Sequence, residues 1–251
     1  MKIVRRIMGI VFAVSLIITV IISSVDIAVY ADFGFYEKEY KKYNVNAPGT
    51  IVDMDMDELM KVTKAMMSYL RGNRDNLVVY AEIQGENQEF FTAIEKYHMA
   101  DVRNLFVAAI ILRRVCVIIM LLSVGVLVFL NENVIKILSR AVMWATGIFN
   151  IFAGILIGII AMDFSAAFIK FHEIFFTNDM WLLDPDTDRL INIVPEEFFS
   201  DTAVRIGIVY LIINLLNFTI AFFLYRGTIK KANGKNKKNT LTHDGGTNEQ
   251  G

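Results

Sequence analysis

Residues 141–162 read AVMWATGIFNIFAGILIGIIAM, 22 residues without a formal charge. A bilayer core about 30 Å thick is crossed by about 20 helical residues. A spanning helix also satisfies its own backbone hydrogen bonds. Working outward, three further runs have the same character. Ile7 to Val25 has 19 residues, Val115 to Leu130 has 16 and extends to Val134 past Glu132, and Ile206 to Tyr225 has 20. Arg113 and Arg114 stand at the upstream end of the shorter run, where long stems let the charged heads snorkel to the headgroups. The chain is 55% hydrophobic over 251 residues, more than a soluble domain of this size needs. The fold class is therefore an all-α membrane protein with four transmembrane helices.

The first run begins behind Lys2, Arg5 and Arg6, and Ala28-Val-Tyr-Ala31 has the small residues of a signal cleavage site. Its apolar length exceeds the roughly 7–15 residues of a signal peptide core, so it reads as a retained anchor.

Charge sets the orientation. Lys2, Arg5, Arg6, Lys136, Arg140, Arg226, Lys230, Lys231, Lys235, Lys237 and Lys238 fall on one side. The other side carries two larger acidic segments. Tyr30 to Phe106 has 13 acids and 9 bases, and Asp163 to Ala203 has 9 acids and 2 bases. The positive-inside rule makes both termini cytoplasmic and both acidic segments extracytoplasmic. The expected order is an N-terminus and first span over 1–29, a first cap segment over 30–106 and a second span over 107–134. A cytoplasmic loop over 135–140, a third span over 141–162 and a second cap segment over 163–203 come next. A fourth span over 204–226 and a basic, disordered tail over 227–251 complete the chain.

The two outer segments together predict a small α+β cap. Asp55-Met-Asp-Glu58 marks a helix start, with Leu59, Val62, Met66, Tyr69 and Leu70 at helical spacing and Gly72 as the stop. Leu77 to Ile83 reads as a strand, and Asn87 as the cap of a second helix that carries Tyr97, His98 and Asp101 and runs into the second span. Asp184-Pro-Asp-Thr-Asp188 reads as a turn whose apolar flanks pair as a hairpin.

The chain holds three histidines, and His243 lies in the basic tail. His98 and His172 each sit in an outer segment, near where the chain meets the membrane. Asp101, three residues after His98, is within helical reach of it. A carboxylate beside an imidazole fixes its tautomer and raises its basicity. Asp179, Asp184, Asp186 and Asp188 are candidate partners for His172. Each histidine alone also reads as an interfacial side chain satisfied by a neighbour. Two imidazoles at one lipid–water boundary could form an acid–base pair.

Other chemistries find little support. The single cysteine, Cys116, excludes an intrachain disulfide. The DPDTD stretch fails as a calcium loop, with Arg189 at its sixth position and Pro195 at its twelfth. HExxH, GxSxG, SxxK and Walker A sequences are missing. Gly154-Ile-Leu-Ile-Gly158 fits helix packing, and Asn150, Asn214 and Asn217 fit interhelical hydrogen bonds.

Several stretches are similar to the lipoprotein intramolecular transacylases, Lit, of low-GC Gram-positive bacteria. They are Tyr69-Leu-Arg-Gly72, Glu95-Lys-Tyr-His-Met-Ala-Asp-Val102, Phe171-His-Glu-Ile-Phe-Phe176, Trp181 to Pro185 and Asp188-Arg-Leu-Ile-Asn-Ile-Val-Pro195. The resemblance implies four spans beneath an extracellular cap in a multi-pass plasma-membrane protein. It implies transfer of the sn-2 acyl chain of a diacylglyceryl-cysteine to the α-amino group of the same cysteine, giving the lyso form of the lipoprotein. His98 and His172 would be the catalytic pair. Tyr69, Tyr97, Asp101, Phe175, Phe176, Trp181 and Asp188 are candidates for binding and orienting the substrate. The partners implied are a diacylglyceryl lipoprotein and membrane lipid, with no cofactor, resident metal, nucleic acid or obligate protein partner. Two other readings stay open: a metal-assisted membrane hydrolase or acyltransferase, and a non-enzymatic sensor or scaffold.

Overall fold

The computed structural model describes the backbone of residues 2–244 and the side chains through residue 234. Its elements are α1 (Lys2–Tyr30), α2 (Gly34–Tyr43), α3 (Met56–Leu70), β1 (Tyr80–Ile83), β2 (Glu86–Glu89), α4 (Ala93–Phe129), α5 (Val134–Met162), α6 (Phe164–Phe175), α7 (Arg189–Ile193) and α8 (Glu196–Asp244). Four helices, α1, α4, α5 and α8, are long and apolar enough to cross a membrane. They contain the four apolar runs read from the sequence.

The chain forms two compact units. One comprises the described parts of Met1–Ile21, Val115–Gly154 and Leu211–Gly251. Ala13, Val142 and Ala221 are buried together in it. Asn150 donates to Asn214 at 3.2 Å, the interhelical bond expected of these amides. Arg5 pairs with Glu132 at 3.2 Å. The small-residue packing expected at Gly154 and Gly158 occurs elsewhere. A Cβ at either position would meet nothing within 4 Å, whereas one at Gly9 would lie 3.2 Å from the Ala141 side chain. The expected loop 135–140 is also helical. The turn is confined to residues 130–133, because Asn133 caps α5 by accepting from the Lys136 N–H at 3.0 Å.

The other unit comprises Ile22–Arg114 and Ile155–Tyr210. Its core gathers Tyr36, Tyr40, Leu59, Val62, Ile83, Phe90, Phe91, Ile193 and Phe198. Phe198 lies against the rings of Tyr36 and Tyr40, and the Tyr40 hydroxyl meets Thr63 Oγ1 at 2.8 Å. Helix α3 starts where the sequence reading put it, with the Asp55 carboxylate accepting from the Asp57 N–H at 2.7 Å. It stops at Gly72, whose φ of +81° is the left-handed conformation glycine adopts freely.

Three local readings are corrected. The strand starts at Tyr80 rather than Leu77, and Asn87 lies in β2 opposite Glu82 instead of capping a helix. Gln84 and Gly85, both at positive φ, make the tight turn that folds β2 back on β1. The cap of α4 is Thr92: its backbone N–H donates to Glu95 Oε2 at 2.6 Å, and its hydroxyl accepts from the Glu95 N–H at 3.3 Å. Finally, the DPDTD turn forms, but its flanks do not pair as strands. Phe168, His172 and Phe176 recur every four residues, a helical period, and Asp163 caps α6 by accepting from the Ala166 N–H at 2.9 Å.

The expected disordered tail is also corrected for its described part. Helix α8 continues through the basic segment to Asp244, with no proline to stop it before the Gly245-Gly246 pair. Extending a formed helix is far easier than nucleating one. Side chains from residue 235 onward, His243 among them, and all of residues 245–251 lie outside what is described.

Candidate active site

Glu95 governs how the site is assembled. Besides closing the cap of α4 with Oε2, its Oε1 accepts from the backbone N–H of Leu190, at the start of α7. The residue is fully buried. Burial pushes its carboxyl pKa up, and the two backbone donors oppose that shift. Asp188 completes the joint, accepting from the Thr92 hydroxyl and from the Asp184 N–H, each at 2.9 Å. The DPDTD turn is thereby fastened to the first turn of α4. His98 lies one turn further along that helix.

His172 lies in the last turn of α6. Its Nδ1 is 2.7 Å from the carbonyl oxygen of Phe168. A carbonyl can only accept, so Nδ1 carries the proton and Nε2 of the neutral ring is left with its lone pair. The ring stacks on Trp181 at 4.9 Å and packs 4.4 Å from Phe168. Phe176 contacts both imidazoles, at 5.2 Å from His98 and 5.5 Å from His172. The histidine ring centroids are 6.0 Å apart, and each residue is 8% exposed.

This enclosure determines charge. His98 precedes the apolar run that begins at Val115. Its pKa is pushed down to about 4, chiefly by burial and then by His172, while Asp101 acts in the opposite sense. His98 is thus neutral at physiological pH.

The structure brings His98, His172, Phe176 and Trp181 together. Asp101 lies beside them, and its carboxylate accepts from the Asn178 side chain at 2.9 Å. That bond ties the helix bearing His98 to the segment after His172. The other expected site residues stand apart from the two rings. Tyr97 is 67% exposed, on the groove formed with Ala93, Lys96 and Ala100. Phe175 is half exposed against Phe171. Tyr69 is buried beneath the Arg103 guanidinium, 4.9 Å from its ring. Asp188 binds the turn and Thr92 rather than a histidine.

Sequence reasoning missed three contributors: Glu95, Phe168 and Asn178. The Thr-x-x-Glu spacing signals a capping box, and the i, i+4 relation of Phe168 to His172 permits the carbonyl bond. Asn178 carried no comparable signal. A cleft of about 510 Å³ is lined by Asp53, Asp55, Glu58 and Glu82 and includes none of the ring residues. Among the described residues, no group of three or more His, Cys, Asp and Glu side chains is placed to hold a metal ion.

A family model for lipoprotein intramolecular transacylase Lit matches residues 10–199. The chain belongs to the Lit family. Its fold is similar to that of the membrane-integral lipoprotein intramolecular transacylase Lit from Bacillus cereus. The TM-score is 0.74 at 22% identity, covering 92% of this chain and 100% of that one. Two variants of the Bacillus cereus protein, with a histidine replaced by arginine or by alanine, each match with a TM-score of 0.67. Their identities are 21% and 22%, with 90% of this chain covered in both cases and 94% and 96% of theirs. At such identity the likeness speaks to the fold, and the family assignment rests on the sequence match. No curated protein sequence matches the chain. Membership of the Lit family makes this an integral membrane protein of a transacylase family.

Proposed function

We propose that the chain moves the sn-2 acyl group of a diacylglyceryl-cysteine to the α-amino group of that cysteine, with His98 and His172 as its catalytic residues. The observation that carries this reading is the pairing of two enclosed imidazoles in a chain of the Lit family.

In the proposed step the neutral α-amine attacks the sn-2 ester carbon. A nitrogen–carbon bond forms and the acyl–oxygen bond breaks. The proton lost by the amine ends on the glyceryl oxygen. His172 is the better base, because the bond to Phe168 leaves Nε2 with its lone pair. His98, held neutral with a low pKa, is a weak base and a poor proton reservoir. Its role is to present an N–H to the ester side, stabilising the oxyanion. The imidazolium formed at His172 then returns its proton to the departing glyceryl oxygen. Nucleophile and ester share one molecule, so no acyl-enzyme is needed and the enzyme's main task is positioning.

Trp181 and Phe176 support this reading by lining the imidazoles with apolar surface. Water reaching the ester would give hydrolysis instead of transfer. The Asp101 carboxylate, one turn from His98, offers a docking point for the substrate ammonium before it loses its proton. The positive-inside rule supports an extracellular site with both termini cytoplasmic.

The test is reconstitution of the purified chain with a diacylglyceryl lipopeptide. Transfer leaves the total mass unchanged, but in tandem mass spectrometry the peptide that has lost its S-glyceryl group now keeps one acyl chain on its α-amine. An unaltered fragment pattern would contradict the reading.

A further inference from the structure

A second polar cluster lies away from the histidines, where two of the apolar runs end. Asp26 directly follows the Ile7–Val25 run, and Arg113 stands two residues before the Val115–Leu130 run. Arg113 Nη1 donates to Asp26 Oδ2 at 3.1 Å. Arg71, at the end of α3, donates from a single nitrogen, Nη2, to both oxygens of the same carboxylate, at 3.0 and 3.1 Å. The face of its guanidinium lies 4.4 Å from the Tyr30 ring, and Tyr30 in turn meets Phe106.

Two guanidiniums therefore share one carboxylate, leaving a net positive charge at the edge of the hydrocarbon. Neither arginine has a second carboxylate partner among the described residues. A guanidinium carries five N–H donors. Arg71 commits one nitrogen to Asp26, and so does Arg113, so most of their donors remain available. Tyr30 covers one face of Arg71, so the remaining donors lie along its edge. Donors at this depth need acceptors, because the apolar phase beyond offers none. A phosphate diester supplies non-ester oxygens that match a guanidinium fork, and it lies at the level where apolar spans end.

We infer that Arg71 and Arg113 form a site for the phosphate of an anionic phospholipid headgroup, with Asp26 as the internal counter-ion that the phosphate partly displaces. This site is separate from the histidine pair and does not rest on the transacylase reading. Its ligand is a lipid bound at the boundary, neither acyl donor nor acceptor.

Native mass spectrometry of the full chain released from detergent, with phosphatidylglycerol or phosphatidylcholine added, tests the inference. One phosphatidylglycerol should be retained in preference to phosphatidylcholine. Arg71→Gln or Arg113→Gln should reduce that preference about fivefold each, the scale expected for one arginine at a charged membrane surface. Asp26→Asn, which removes the competing carboxylate, should preserve or strengthen it. This third variant keeps the test decisive if an arginine variant fails to fold. Equal retention of the two lipids by the unaltered chain would overturn the inference, as would loss of the preference in Asp26→Asn. Inorganic phosphate binding in place of lipid at millimolar concentration would also overturn it, by making the ligand a free anion.

Discussion

His172 donates from Nδ1 to the carbonyl oxygen of Phe168, 2.7 Å away and four residues earlier in the same helix. This bond fixes one tautomer and orients Nε2 without using a second side chain. Nitrogen NMR of histidine-labelled protein should therefore show His172 as the Nδ1–H tautomer when neutral. A signal from the Nε2–H tautomer would remove its assignment as base.

His98 should stay neutral well below the ordinary histidine range. An unperturbed imidazole titrates near 6.5, whereas burial and His172 bring this one to about 4. The unfolded chain then binds more protons than the folded one below pH 6.5. The stability linked to this group is present above that pH and is lost as pH falls through about 4. A carbon-detected titration of the His98 ring should show no midpoint between pH 6 and 7. A midpoint within that interval would contradict the enclosure.

Trp181 stacks on His172, so removing it opens the ring to water. Trp181→Ala should lower acyl transfer and raise hydrolysis, with free fatty acid and a mono-acylated lipopeptide as products. Chromatography of released fatty acid checks this outcome. An unchanged ratio of transfer to hydrolysis would mean that the indole does not exclude water.

Glu95 joins the start of α4 to α7. Glu95→Ala leaves the buried Leu190 N–H and the half-buried Thr92 N–H unpaired and removes a cap, which should destabilise the protein by about 2–3 kcal/mol. Thermal unfolding in a fixed detergent measures the loss. Arg189 makes a comparable joint nearby, donating to the carbonyls of Ile51, Glu89 and Phe90 and to Gln88. Arg189→Lys keeps the charge but loses the planar fork, and should cost about 1–3 kcal/mol in the same measurement.

The readability of these features in the sequence followed the range of the forces involved. Apolar length announced all four spans, because the bilayer imposes one dimension on any helix that crosses it. The Asp55 cap and the Gly72 stop were legible because their hydrogen bonds close within a few residues. The Asp184–Asp188 flanks were misread. Their apolar content suits strand or helix alike, and the Glu95 bond that secures α7 spans 95 residues of sequence. The two histidines were singled out by scarcity and by place. Their 6.0 Å separation and shared Phe176 depend on long-range packing that no local spacing records.

The most direct measurement follows the acyl chain itself. A diacylglyceryl lipopeptide is incubated with the purified chain, with His98→Gln and with His172→Gln, and its N-terminal fragment is examined by tandem mass spectrometry. The unaltered chain should transfer one acyl group to the α-amine, and each variant should be slower by about 10² or more. Transfer at an unchanged rate in either variant would contradict the account of two cooperating histidines.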